Sequence, residues 1–121
     1  MTGPTIEVRG ADKLEEVAKP IGGQVLELDI TDRKSVETLL DRLPAPWREI
    51  EILVNNAGHD TGGRRRFDEG TMEEWESIIE TNVIGLIRVT RVVIPGMIAR
   101  DRGHVVNIGS ISGYKPYAGG T

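Results

Sequence analysis

The stretch from residue 50 to residue 58 reads IEILVNNAG, in which the apolar run Ile50 to Val54 stops at Asn55-Asn56-Ala57-Gly58. A second stretch, HVVNIGS at 104–110, has the same form and ends on Gly109-Ser110. Short runs of Val, Ile and Leu are typical of strands that are buried on both faces of a parallel sheet. Because ligands bind at the carboxyl ends of such strands, both polar clusters are candidate binding elements.

Composition narrows the class of protein. The chain has 121 residues, which is the length of one domain, and a formal net charge of −4, which favours neither nucleic acid nor an anionic membrane as a partner. It has no cysteine, which excludes disulfides and thiolate metal sites and fits a reducing cytoplasm. No apolar signal core or run of about 20 apolar residues is present. We therefore expect a cytoplasmic protein whose partners are small molecules or other protein chains.

Short apolar runs alternate with segments of helical period, which indicates βαβ units. Strands are predicted at 5–9, 24–30, 50–55 and 104–108. One helix is predicted over 11–19, closed by Pro20 and Gly22-Gly23. A second is predicted after a cap at Thr31 or Asp32, ended by Pro44 and Pro46. Thr71-Met72-Glu73-Glu74 has the form of a capping box, and a longer helix, kinked at Pro95, is predicted over 82–100.

Four blocks taken together resemble the short-chain dehydrogenase/reductase family, with the right order and spacing across 9–121. They are LELDITD at 26–32, ILVNNAG at 52–58, TNVIGL at 81–86 and GHVVNIGSISG at 103–113. The segment GSISGYKPYAGGT at 109–121 is also similar to the branch that oxidises serine and other 3-hydroxy acids. The resemblance implies a Rossmann-like α/β fold, a doubly wound parallel sheet with helices on both faces. It further implies an NAD(P)-dependent oxidoreductase that acts on a hydroxyl or carbonyl substrate and forms a homo-oligomer.

The resemblance assigns catalytic roles to Ser110 and Asn82. Ser110 matches the serine that hydrogen-bonds the substrate oxygen, although a serine at a strand end by itself indicates a turn residue. Ser112 lies two residues on and could also line the pocket, but Ser110 has the better position in the motif. Asn82 matches the asparagine that supports a water in the proton relay, and it is equally suited to cap the long helix beside Thr81.

The resemblance also assigns cofactor contacts. Asp29 would accept from the adenine amino group while the amide of Ile30 donates to the ring; the alternative is that Asp29 caps the helix that follows. Asn55, Ala57 and Gly58 would line the cofactor ribose, whereas Asn56 would stabilise the sheet.

Arg9 stands where members of this family select their cofactor. An acid at this position binds the ribose diol of NAD, and an arginine binds the 2′-phosphate of NADP. Arg9 therefore favours NADP over NAD, and the alternative is a solvated arginine at the start of a helix.

The remaining charged residues give weaker signals. Arg64-Arg65-Arg66 is interpreted as a solvated rim, since three adjacent arginines cannot all face one ligand. His59 and Asp60 could border the mouth of the site, while His104 is expected to pack at a strand start, and two isolated histidines do not indicate a metal site.

Two features of the family are not recognised in residues 1–121. The proton-donating tyrosine, about 13 residues after the serine and followed by a lysine 4 residues later, would fall past Thr121; Tyr114 and Tyr117 are too early. The glycine-rich first turn, which presents amides to the pyrophosphate, is recognisable only as Thr2-Gly3. We therefore expect 1–121 to be a partial NAD(P)-binding domain, truncated at both ends and inactive alone.

An alternative function is a non-catalytic module that binds or assembles through exposed sheet edges. In the family's strand order, the absent first strand would lie between the strand at 5–9 and the strand that ends at NNAG. Either residues 1–9 take that central place, or two half-sheets keep unpaired edges that invite association.

Overall fold

The computed structural model describes residues 5–6, 11–60 and 65–116. The strands in this part of the chain are β1 (Thr5–Ile6), β2 (Gln24–Val25), β3 (Ile52–Asn55) and β4 (His104–Asn107). The α-helices are α1 (Ala11–Ile21), α2 (Arg33–Glu37), α3 (Leu39–Arg42), α4 (Met72–Ile79) and α5 (Leu86–Ala99). A π-helical segment, Glu80–Gly85, joins α4 to α5, and 3-10 turns lie at Ala45–Trp47, Phe67–Glu69 and Ile111–Gly113.

The strands form two parallel pairs, β1 with β2 and β3 with β4. Within residues 5–6, 11–60 and 65–116 no strand joins the two pairs. The first predicted arrangement, in which residues 1–9 take the central place, concerns residues that lie largely outside the described ones, so the choice between the two arrangements stays a prediction. The prediction of a strand over 24–30 was too long. A strand needs a ladder partner, and the described part of β1 offers β2 only Thr5 and Ile6.

The long helix begins ten residues earlier than the prediction of 82–100, because α4, the π-helical segment and α5 are continuous from Met72 to Ala99. Thr71 caps it through the predicted capping box: its Oγ1 accepts from Glu74 N at 3.3 Å, and Glu74 Oε2 accepts from Thr71 N at 2.8 Å. The stretch is long and apolar enough to cross a membrane by length and composition, which the sequence analysis missed by starting the helix at Asn82. Val89, Val93 and Met97 form the buried face of this helix within the core, while 22% of its apolar window is buried inside the chain.

The helix predicted after residue 31 is two helices. Asp32 is its cap, with Oδ1 accepting from Lys34 N at 2.9 Å. Thr38 separates α2 from α3, and its hydroxyl donates to Lys34 O at 2.9 Å. A threonine hydroxyl that bonds to backbone in this way competes with the helical ladder, which accounts for the break.

Helix α1 runs through Pro20 and ends at Ile21 instead of stopping before the proline. Gly22 follows with φ of 63°, a left-handed conformation that favours glycine, and Gly23 N donates back to Ala18 O at 2.9 Å. The glycine pair therefore ends the helix.

The core lies where α2, α3 and α5 pack against the second strand pair, β3 with β4. The buried side chains of this cluster belong to the segment after β2 and to these helices, and all of them are apolar. They are Leu28, Ile30, Val36, Leu39, Val89, Val93 and Met97. Leu53 of β3 and Val105 of β4 pack against this cluster. The core cluster thus packs against both strands of the second pair.

Candidate active site

Strands β3 and β4 end level with each other. Asn55 is paired with Asn107, and Ile108 N donates to Asn55 O at 2.9 Å. Beyond this edge the chain continues into Ala57-Gly58 after β3 and into Ser110 after β4. The parallel register therefore brings the two polar clusters to one edge of the sheet, as their positions at strand ends predicted.

The side chain of Asn55 ties three elements together at this edge. Its Nδ2 donates to Thr90 Oγ1 of α5 at 3.0 Å and to Asn107 Oδ1 of β4 at 2.8 Å. This is the stabilising role that the sequence analysis gave to Asn56, which is exposed just beyond the strand. A cofactor contact by Asn55 remains a prediction.

Asn82 lies within the π-helical segment, so its interpretation as a helix cap was wrong. Its Oδ1 accepts from His59 N and its Nδ2 donates to His59 O, both at 2.8 Å. The amide thus holds both backbone groups of the residue that follows NNAG. π-helical turns are rare and frequently occur at functional sites, because the extra residue shifts the hydrogen-bonding pattern locally.

The ring of His59 is oriented by Ser77 of α4. His59 Nε2 lies 3.1 Å from Ser77 Oγ, and that hydroxyl donates its one proton to Glu74 O at 2.7 Å. The Ser77 hydroxyl therefore links the ring of His59 to the backbone of α4. The sequence indicated that His59 borders the site, but not this partner.

Ser110 is exposed and caps the 3-10 turn Ile111–Gly113. Its Oγ accepts from Ser112 N at 3.2 Å and lies 3.0 Å from Ser112 Oγ, which can donate to it or accept from it. The turn role and the predicted substrate role are compatible, because a hydroxyl has one donor and two acceptor positions. Ser112 thus emerges as the direct partner of Ser110.

Asp29 and Ile30 lie on the chain between β2 and α2. Asp29 Oδ1 accepts from Thr31 N at 2.9 Å and from Thr31 Oγ1 at 2.7 Å, and Asp32 N donates to Asp29 O at 3.1 Å. Asp32, not Asp29, caps the helix, so that alternative for Asp29 was wrong. The Ile30 side chain is buried in the core.

Arg88 was not singled out in the sequence, yet it binds the same turn. Its Nη1 donates to Thr31 O at 3.0 Å and to Ile30 O at 3.5 Å, and it forms an ion pair with Glu80. No periodicity signals an arginine with partners 57 and 58 residues away in the sequence.

Arg9, Arg64 and Tyr117 lie outside the described residues, so the predicted contact of Arg9 with a 2′-phosphate remains a prediction. The other two arginines of the loop have acidic partners: Arg65 pairs with Glu74 and stacks over the Trp75 ring at 6.0 Å, and Arg66 pairs with Asp68 at 2.7 Å.

Glu74 is the titratable group that the capping box perturbs. The hydrogen bond from the Thr71 backbone and the Arg65 guanidinium together hold the pKa of Glu74 below its ordinary value near 4.5. Its carboxylate therefore stays ionised at the start of the helix, where it satisfies a free amide.

A dinucleotide fits this edge by its chemistry. Ala57 and Gly58 carry no side chain beyond Cβ, which lets a ribose approach the backbone closely. The space beside Gly109 is also open, because a Cβ built on this residue would meet no described atom within 4 Å. Asp29 and the amide of Ile30 lie together on the turn after β2, and a carboxylate accepts hydrogen bonds from amino groups such as that of adenine. Across the described residues, no group of three His, Cys, Asp or Glu side chains is placed to hold a metal ion.

Comparison with known proteins gives consistent relatives. Residues 5–121 match the family model described as short chain dehydrogenase. The chain is 45% identical over 114 residues to the NADP-dependent 3-hydroxy acid dehydrogenase YdfG of Salmonella typhi, which covers 93% of this chain and 46% of that protein. It is 32% identical over 122 residues to the NADP-dependent 3-hydroxy acid dehydrogenase of Schizosaccharomyces pombe, covering 96% of this chain and 47% of that protein. The chain thus spans about half the length of the curated relatives it matches.

Solved structures agree with the sequence relatives. The crystal structure of serine dehydrogenase from Escherichia coli superposes with a TM-score of 0.87 at 40% identity, covering 95% of this chain and 53% of that chain. The closed form of serine dehydrogenase complexed with NADP+ gives the same score and identity, covering 47% of that chain. These likenesses confirm the predicted Rossmann-like α/β class.

Proposed function

The chain belongs to the short-chain dehydrogenase family, and from this premise we propose that its protein is an NADP-dependent oxidoreductase. It would transfer a hydride between nicotinamide and a hydroxyl or carbonyl substrate of the 3-hydroxy acid class, with 1–121 forming part of the NADP-binding domain. The observation that carries the proposal is the level ending of β3 and β4, which puts Gly58 and Ser110 at one sheet edge. Two relatives are named NADP-dependent 3-hydroxy acid dehydrogenase, and their names favour NADP as the cofactor and 3-hydroxy acids as the substrate class.

In this proposal each site residue has a defined task. Ser110 donates to or accepts from the substrate oxygen and so orients the carbon that exchanges hydride. Asn82 supports the water of the proton relay through its backbone, since its side chain is engaged with His59. NADP supplies the hydride acceptor or donor when it is bound.

The remaining residues bind the cofactor. Ala57 and Gly58, with Asn55 at the strand end, line the ribose nearest the nicotinamide. Asp29 and the Ile30 amide hold the adenine, and Arg9 pairs with the 2′-phosphate. This set gives the cofactor one polar contact region at each end.

We extend the proposal to the setting of the protein. It acts in the cytoplasm on a small molecule, with neither nucleic acid nor membrane as a partner, and it forms a homo-oligomer. Exposed aliphatic side chains along the continuous helix support association: Ile79, Val83 and Ile87 are each 43–55% exposed. The same surface would serve the alternative, a non-catalytic assembly module.

The Ser110→Ala variant of the complete protein tests the catalytic assignment. We expect kcat/KM for oxidation of serine or a short 3-hydroxy acid by NADP+ to fall about 10²- to 10³-fold, because the oxygen-orienting hydroxyl is lost. The affinity for NADP+ should stay within about threefold, since Ser110 contacts substrate and not cofactor.

Ser112→Ala is the matched control, because it removes the hydroxyl that lies 3.0 Å from Ser110 Oγ and leaves Ser110 itself in place. It should retain most of the activity. Equal activities of Ser110→Ala and the wild type would refute the assignment of Ser110, and a wild type without hydride transfer would favour the assembly module.

A further inference from the structure

The turn that carries Asp29 and Ile30 lies between β2, which ends at Val25, and α2, and residues 26–29 belong to neither strand nor helix. Bonds within the turn join Asp29 to Thr31 and Asp32 and define its local shape. Where the turn lies relative to the long helix depends on its contacts with that helix.

Arg88 of α5 makes those contacts. Its Nη1 donates to Thr31 O at 3.0 Å and, more weakly, to Ile30 O at 3.5 Å, while Glu80 holds the same guanidinium in an ion pair. The Arg88 side chain is only 22% exposed, so these bonds form with little competition from water. A guanidinium is rigid and always charged, which suits it to hold backbone carbonyls in place.

Gly85 brings the helix backbone against the same turn. A Cβ at this position would lie 2.7 Å from both Cδ1 and Cγ1 of Ile30, so glycine alone permits the observed approach. Gly85 and Arg88 are three residues apart and share one face of the helix. The helix therefore contacts both the side chain of Ile30 and the carbonyls of the turn.

The N-terminal part of this helical segment contacts the loop after β3. Asn82 binds the backbone of His59, directly after Gly58. A single segment, Glu80 to Arg88, thus spans from the loop after β3 to the turn after β2.

We propose that Arg88, oriented by Glu80, is a positioning residue that sets the adenine-binding turn at a fixed place relative to the NNAG loop. The inference rests on the proposed function, because it concerns the adenine end of the dinucleotide. Arg88 touches no part of the cofactor itself. It acts through Ile30 and Thr31, whose carbonyls it holds while Asp29 and the Ile30 amide face the adenine.

Binding of cofactor halves to the complete protein tests this inference. We expect Arg88→Leu to weaken binding of adenosine 2′,5′-bisphosphate about tenfold, equivalent to about 1.4 kcal/mol, with binding of nicotinamide mononucleotide unchanged within about twofold. Arg88→Lys should recover part of the loss, because the observed bonds come from one nitrogen that an ammonium can replace. Amide hydrogen exchange at 29–32, measured without ligand, should accelerate in Arg88→Leu.

Arg91→Leu is the matched control, since Arg91 is exposed one turn further along α5. It should bind both probes as the wild type does. Should Arg88→Leu not fold, Glu80→Gln and Arg88→Lys decide the matter: each should weaken the adenosine probe selectively, by about threefold.

Two results would overturn the inference: unchanged affinity for the adenosine probe in the Arg88 and Glu80 variants, or an equal loss for both probes. A wild-type protein that binds neither probe would instead refute the proposed function.

Discussion

Asn55 and Asn82 join segments that lie far apart in the sequence through their side-chain amides. Asn55 donates hydrogen bonds to the side chains of Thr90 and Asn107, and Asn82 is hydrogen-bonded to the backbone of His59. The motifs predict that both asparagines belong to the site. They do not predict the contacts, because the partners are 23 to 52 residues away and depend on how the helix lies on the sheet.

Glu74 gives a pH-dependent test at the residue scale. Its folded-state pKa is lowered by the Thr71 backbone bond and by Arg65, so its contribution to stability is present above its ordinary pKa and is lost as pH falls through the folded value. We expect the unfolding temperature of the wild type to fall more steeply from about pH 5 to about pH 3 than that of Glu74→Gln.

Thermal unfolding followed by circular dichroism measures this difference. Glu73→Gln is the control, because Glu73 is the exposed neighbour on the same helical turn and should keep the wild-type slope. Parallel curves for Glu74→Gln and the wild type would contradict the role of Glu74 in the capping box.

The continuous helix from Met72 to Ala99 organises the site at the scale of elements. Its middle, Glu80–Gly85, is π-helical and carries Asn82 and Gly85, and Arg88 follows in the first turn of α5. The apolar spacing of 3 and 4 residues predicts a helix here but not the wider turn. An inserted residue changes backbone pairing without changing which side chains are apolar, so the sequence pattern does not reveal it.

Gly85→Ala tests the close approach of this helix to the turn after β2. An alanine normally stabilises a helix by about 1 kcal/mol relative to glycine. Here its Cβ would lie 2.7 Å from two atoms of Ile30, and overpacking costs about 1–3 kcal/mol. We expect the variant to be less stable than the wild type by about 1 kcal/mol in urea unfolding.

Gly96→Ala is its counterpart on the same helix. A Cβ there would lie 3.1 Å from Nη1 of Arg100, whose Nη2 donates to Ile50 O at 2.7 Å, so the guanidinium has to shift slightly and we expect a smaller loss of stability than in Gly85→Ala. A Gly85→Ala protein as stable as Gly96→Ala would show that the contact with Ile30 is not tight.

At the scale of the whole molecule, two parallel strand pairs are joined by helices that cover one side of each. The alternation of apolar runs and helical periods predicts the α/β class, because the two periods differ clearly in this chain. The lengths of β1 and β2 and their separation from β3 do not follow from that alternation, since a ladder depends on which strand lies alongside. On the other side of β3, Ile52 and Val54 are 66% and 54% exposed within the chain.

The central claim is that the carboxyl edge of these strands binds NADP, and amide hydrogen exchange of the complete protein with and without NADP+ tests it most directly. We predict slower exchange on adding NADP+ at three separate segments. Two of them, 55–59 and 108–112, lie at and beyond the ends of β3 and β4, and the third, 29–31, is the turn between β2 and α2. Unchanged exchange at these segments, or protection confined to the apolar surface around Phe67, Met72 and Ile79, would contradict the account.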